Sequence, residues 1–181
     1  MKKTIFAVSD IHGYYDILIK CLAKKGFDEN NPNHLLVVLG DHFDRGSQSK
    51  EVYEYLKRLT DKGSAITIMG NHDLMLIEYL NGTCYDSWNY YRNGTMRSFE
   101  SFLGKSEPYA SWLKEHNYQY PTSHTNFVEW LIEVVNIMWD KYPDLYEWLN
   151  NQPYYFETEH YIFTHGAIDT NVVDWHYPCC S

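Results

Sequence analysis

Apolar and polar positions alternate between two regimes along the first eighty residues. Thr4 to Val8, His34 to Leu39 and Ala65 to Met69 are short runs dense in β-branched and aliphatic residues, as expected of strands buried on both faces. Between them the apolar positions recur at helical spacing. One helix should carry Leu18, Cys21 and Leu22 on a common face, with Lys24 and Lys25 in its last turn and Gly26 as its stop. A second, over Ser49 to Lys62, places Val52, Tyr55, Leu56 and Leu59 at i, i+3, i+4, i+7 ahead of Gly63. A third is expected over Leu74 to Leu80. Strands joined by helices through short connections predict a parallel sheet with right-handed crossovers.

From about residue 81 to 150 the character changes to Trp- and Tyr-rich helical patterning. Its clearest stripe is Phe127, Trp130, Leu131, Val134, Val135, Met138 and Trp139, which reads as a core face. We take this region as a helical insertion or cap within a single domain of residues 1–181. Tyr161 to Thr164 then returns to strand. The 17 tyrosines and 6 tryptophans fit an amphipathic core better than a stacking surface.

Composition narrows the function. A formal charge of −9 argues against binding a nucleic-acid backbone, which needs clustered Lys and Arg. The Lys2-Lys3 start followed by apolar residues resembles a leader, but Asp10 and His12 interrupt it too early. No stretch approaches the ~20 apolar residues that span a bilayer. Cys21, Cys84, Cys179 and Cys180 lack zinc or disulfide spacing. The expectation is a cytoplasmic protein with free thiols, without nucleic-acid or membrane partners and of unspecified oligomeric state.

The chemistry lies in four blocks, each after an apolar run: Ser9-Asp10-Ile11-His12-Gly13, Gly40-Asp41-His42-Phe43-Asp44-Arg45-Gly46, Gly70-Asn71-His72-Asp73 and Thr164-His165-Gly166. In open α/β sheets ligands bind beyond the carboxyl ends of strands, where all of these sit. Asp10 and His12 can face one divalent ion, Asp41 can bridge to a second, and Asn71 and His165 supply an amide oxygen and an imidazole to it. Two such ions clamp a phosphoryl group and activate water. The mixed oxygen and nitrogen donors suit Mn²⁺, with Fe or Zn as alternatives, better than Ca²⁺. His72 can protonate the leaving oxygen, Asp44 can orient it and raise its pKa, and Arg45 offers a planar fork to phosphate. His42 is not expected to be a ligand. His34, His116, His124, His160 and His176 are read as surface or packing residues.

These blocks resemble those of the calcineurin-like metallophosphoesterases, within them the bacterial and phage branch of the phosphoprotein phosphatases. GFDENNPNHLLVVLGD resembles the family's approach to its second motif, and WNYYRNGTMRS (Trp88 to Ser98) its Trp-x-x-Asn-Gly-Gly segment. The resemblance implies an α/β sandwich of two mixed sheets flanked by helices. It also implies direct attack by a metal-bound hydroxide bridging the ions, and the same roles: Asp10, His12, Asp41, Asn71 and His165 on metal, His72 and Asp44 as the acid pair, and Arg45, with Asn71, on substrate phosphate. Ser9 replaces the usual first glycine, and Thr95 stands where a second glycine is common. The family pattern normally continues to another Arg and a final His ligand, whereas this sequence stops at Ser181. The expectation is that either the sequence is truncated at its C-terminus or the second metal is held by fewer ligands.

The leading expectation is a phosphomonoesterase acting on phosphoserine or phosphothreonine. A dinucleoside polyphosphate hydrolase shares the motifs and often carries Asp after Gly-Asn-His, which Asp73 favours. A weakly active, metal-binding domain is the third reading.

Overall fold

A computed structural model describes residues 3–104 and 124–168. Strands β1 (Thr4–Ser9), β2 (His34–Leu39) and β3 (Ala65–Ile68) form a parallel sheet in the order β1-β2-β3. Helices α1 (Tyr15–Lys25) and α2 (Ser49–Asp61) cross between them. Gly26 ends α1 in the left-handed conformation, as its place after two lysines predicts. Cys21 departs from the expected face: Leu18 and Leu22, one turn apart, carry the buried stripe of α1, and Cys21 is exposed. Cys84 is half-buried and also free, while Cys179 and Cys180 lie outside the described residues.

The register pairs Ser9 with Leu39 and Leu39 with Ile68, so three strands end side by side and deliver their loops to one edge. Leu36 and Val38 face a large core with Val52, Leu56 and Leu59 of α2. Leu35, Val37 and Ile68 face the other way, against Phe156 and Phe163. Those two belong to β4 (Tyr155–Glu157) and β5 (Ile162–Thr164), an antiparallel pair. The layers are therefore helices, parallel sheet and hairpin, an α/β sandwich. Neither sheet mixes strand directions among the described residues. Helical crossovers impose parallel pairing on the first sheet, and the short turn bonded from Thr158 N–H to the Tyr161 carbonyl at 2.8 Å imposes antiparallel pairing on the second.

The helices α3 (Asn71–Leu80), α4 (Ser87–Arg92), α5 (Thr95–Leu103), α6 (His124–Lys141) and α7 (Leu145–Asn150) complete the described chain. Helix α3 begins three residues before the expected Leu74, because the Asp73 carboxylate accepts the Gly70 N–H at 3.0 Å and caps the first turn. Helix α6 buries Phe127, Trp130, Leu131, Val134 and Met138, whereas Val135 is half-buried and Trp139 reaches the surface, its indole N–H donating to the Leu80 carbonyl. No helix among the described residues is long and apolar enough to cross a membrane.

Tyr90 of α4 is fully buried and makes edge contacts with Tyr79, Phe127 and Trp130 at 5.3–5.6 Å. These rings belong to the same core as Leu36 and Val38. The helices of α4 to α7 thus share one core with the sheet. Trp130→Ala should accordingly cost about 3–5 kcal/mol in a single cooperative unfolding transition. Urea denaturation followed by both near- and far-ultraviolet circular dichroism checks this, and two separated transitions would contradict a shared core.

Candidate metal-centred active site

Each strand end turns sharply into its motif. Asp10, His12, Asp41, Asp44 and Arg45 all adopt left-handed backbone conformations, with φ between 49° and 72°. L-residues pay about 1 kcal/mol or more for this, and such strain collects where side chains must be aimed at a common point. The loops hold it by cross-bonding: His12 N–H donates to the Asp41 carbonyl and Gly13 N–H to that of His42, both at 2.9 Å.

The Nδ1–H of His12 donates to the Phe43 carbonyl at 2.8 Å. Its Nε2 is left buried and without a hydrogen-bond partner. The Nδ1–H of His165 likewise donates to the Leu39 carbonyl at 2.7 Å, turning Nε2 inward. Between the two rings lies the Asp41 carboxylate, with Oδ2 at 3.6 Å from His12 Nε2 and Oδ1 at 3.3 Å from His165 Nε2. Asn71 Oδ1 is 3.0 Å from His165 Nε2, and Asp10 Oδ1 is 3.8 Å from His12 Nε2. Two imidazole lone pairs, two carboxylates and an amide oxygen converge, all acceptors. A cation is what such a set can hold. The donors divide into Asp10, His12 and Asp41 on one side and Asp41, Asn71 and His165 on the other. Gly40, at φ 72°, makes room: a Cβ there would lie 2.6 Å from His165 Nδ1.

His72 joins this group from the side, since donor atoms of His12, Asp41 and His72 lie within 4.8 Å of one another. Its surroundings are those of an acid. The Nδ1–H donates to Asp44 Oδ2 at 2.8 Å. That hydrogen bond, with the nearby carboxylates, holds the His72 pKa above its ordinary value despite the opposing pull of burial. At Nε2 it accepts from Arg45 Nη2 at 3.1 Å, a contact that fits the neutral ring only. Arg45 itself is exposed.

His42 turns away from this point. Its Nδ1–H donates to Asp73 Oδ2 at 2.7 Å, and both side chains are fully buried. Asp73 also accepts the backbone N–H groups of Asp41 (2.9 Å), His42 (3.0 Å) and Gly70 (3.0 Å). Burial alone would raise its pKa, but the His42 imidazole and these donors bring it below the ordinary carboxylate value. Asp73, which favoured a dinucleotide substrate on sequence grounds, therefore has no surface to offer a substrate. Its carboxylate is spent on capping α3 and pinning the second loop.

Sequence reasoning missed three hydroxyls behind Asp44. Thr95 Oγ1 and Ser98 Oγ donate to its two carboxylate oxygens at 3.0 and 2.9 Å, and Ser49 Oγ lies 3.1 Å from Ser98 Oγ. The signal was the Asn-Gly-Thr-Met-Arg-Ser run: Gly94 lies so close to the second loop that a Cβ would stand 2.6 Å from Arg45 N. Among the remaining histidines, His34 is half-buried and accepts the Asp28 N–H at 3.0 Å, and His160 is exposed. His116, His176 and the side chain of His124 lie outside the described residues.

Comparison with known proteins identifies the family. The family model for calcineurin-like phosphoesterases matches residues 3–179. The asymmetrical bis(5'-nucleosyl)-tetraphosphatase of Bacillus velezensis is 38% identical over 81 residues, covering 41% of this chain and 32% of that protein. The symmetrical enzyme of Klebsiella pneumoniae is 40% identical over 77 residues, covering 42% of this chain and 26% of that protein. The chain thus spans about a quarter to a third of the length of the curated relatives it matches. Among solved structures, a cold-active protein-tyrosine phosphatase of a psychrophilic Shewanella shares the fold with a TM-score of 0.56 and 22% identity, over 94% of this chain and 44% of that one.

Replacing Asp73 with Asn keeps its shape but removes an anion that four donors converge on. The expected loss is about 3–5 kcal/mol in urea unfolding of the metal-free protein, and a change below about 1 kcal/mol would show that the buried pair does not hold the loops.

Proposed function

The chain belongs to the calcineurin-like phosphoesterases, and from that premise we propose that it is a metal-dependent phosphoester hydrolase whose substrate is a dinucleoside polyphosphate. The observation that carries the hydrolase reading is the Asp41 carboxylate standing between two imidazole nitrogens whose protons are committed elsewhere. Asp10, His12 and Asp41 would hold one divalent ion, and Asp41, Asn71 and His165 the other. When bound, the pair supplies an activated water and a clamp for phosphoryl oxygens. Mn²⁺ suits the donor set, with Fe or Zn as alternatives.

The chain's own residues do the rest. Arg45 binds a non-bridging phosphate oxygen with its planar fork, joined by Asn71. Drawn to phosphate, the guanidinium leaves His72 Nε2, which is then free to carry a proton to the leaving phosphate oxygen as the phosphoanhydride P–O bond breaks. Asp44 holds the opposite nitrogen, and so keeps the ring aligned and favours its protonated form.

The substrate ranking of the sequence reading is reversed. The sequence alone puts phosphoserine or phosphothreonine first. The relatives matched at 38–40% identity are bis(5'-nucleosyl)-tetraphosphatases, which favours the dinucleotide, while the likeness to a tyrosine phosphatase at 22% identity speaks to fold alone.

The metal-stripped chain should hydrolyse diadenosine tetraphosphate only after Mn²⁺ is added, and faster than it hydrolyses a phosphoserine peptide. His72→Asn should lower kcat by about 10²–10⁴-fold while Mn²⁺ binding, followed by calorimetry, stays intact. Equal turnover of both substrates would remove the dinucleotide preference. Lack of Mn²⁺-dependent turnover would overturn the hydrolase reading and favour a metal-binding domain.

A further inference from the structure

Asp44 is fully buried, and its carboxylate has three side-chain donors with single-valued directions. Oδ2 receives the His72 Nδ1–H at 2.8 Å and the Thr95 hydroxyl at 3.0 Å. Oδ1 receives the Ser98 hydroxyl at 2.9 Å. Ser98 Oγ in turn accepts the Asp44 backbone N–H at 2.7 Å, and since its own proton goes to Asp44, the contact with Ser49 at 3.1 Å must be donated by Ser49. Thr95, Ser98 and Ser49 are each fully buried. No water is needed to satisfy this network, and no proton in it has a second place to go.

Thr95 and Ser98 stand three residues apart, on one face of α5. Gly94 lets that face press against the loop carrying Asp44 and Arg45. We infer that Thr95 and Ser98 are positioning residues for proton transfer: their hydroxyls fix the Asp44 carboxylate, and through it the orientation of the His72 ring that serves the leaving oxygen. The inference rests on the acid role given to His72 above. A carboxylate with one oxygen shared between imidazole and hydroxyl cannot rotate without losing both bonds, and a small misalignment of the acid weighs most where the leaving group most needs a proton.

Thr95→Val preserves shape and removes only the hydroxyl. Its kcat for phenyl phosphate, a poor leaving group, should fall about tenfold with KM unchanged. Turnover of 2,4-dinitrophenyl phosphate, whose leaving group needs no proton, should change less than about twofold. Thr95→Ser should restore both. A merely structural role would lower both substrates together, and that result, or no loss at all, would overturn the inference. A second readout is independent of turnover. In the zinc-loaded, ¹⁵N-histidine-labelled chain the His72 Nδ1–H resonance should move in Thr95→Val and return in Thr95→Ser, while the His42 Nδ1–H, bonded to Asp73, stays in place. A parent chain without turnover would count against the hydrolase reading. The His72 resonance would then decide alone, and one unmoved by Thr95→Val would overturn the inference.

Discussion

The carboxylate of Asp73 is sealed from water and must be met by donors, and its donors come from two different strand ends. Gly70 N–H lies after β3, while Asp41 N–H, His42 N–H and the His42 imidazole come from the loop after β2. A buried carboxylate stripped of such partners costs several kcal/mol. Burying this one anion therefore forces the second and third loops together. With the Asp41 backbone so held, its carboxylate accepts the His72 N–H at 3.0 Å and still reaches toward both His12 and His165. His42 belongs to this tie, which is why a histidine inside the richest motif contributes nothing to the metal-facing set.

Against that stands the backbone strain. Five non-glycine residues in the left-handed region together cost on the order of 5–10 kcal/mol, comparable to the net stability of a whole domain. Such a site survives only on a well-buried frame. The frame here is a sheet whose central strand has Leu36, Val37 and Val38 fully buried, covered on one side by α2 and the aromatic cluster of α4 to α6. Tyr79, Tyr90 and Trp130 thus act at a distance, stabilising through the shared core the sheet edge from which the strained loops emerge.

What could be read from sequence follows from the range of each interaction. The strands and helices of the first eighty residues were legible because apolar periodicity is local, and β2 spans the expected His34–Leu39. The start of α3 was not, because the cap is a side chain three residues inside the helix, acting on Gly70. The metal-facing residues were legible as residue types at strand ends. Their arrangement was not: that His12 and His165 both surrender Nδ1 to backbone carbonyls is a matter of tertiary contact. Thr95, Ser98 and Ser49 lay further out of reach, because they lie 49 to 54 residues from their partners in sequence and join only when α5 packs on α2 and the Asp44 loop. The identity of Asp73 was legible and its meaning was not, since a carboxylate beside a metal motif looks like part of the site until its burial is known.

That last point bears on how substrates are distinguished. In the proposed reaction the groups that would act on the phosphorus, Asp41, His12, His72 and Asp44, are all buried, and they would meet features common to every phosphoester: the phosphoryl oxygens, the attacking water and the leaving oxygen. Buried groups of this kind govern reaction class rather than the identity of what the phosphate is attached to. In the proposed function, selection between a dinucleotide and a phosphoprotein would fall to exposed side chains beside the motifs, and there the described residues include Arg45 on the second loop, Asn71 at the start of α3, and the exposed Tyr14 and Leu74 that follow the first and third motifs in sequence. A planar cation, an amide, an aromatic ring and an aliphatic side chain suit a ligand that pairs phosphate charge with a flat apolar body. A nucleoside polyphosphate has that chemistry in one molecule, whereas a phosphopeptide brings it only when its neighbouring residues supply the apolar part.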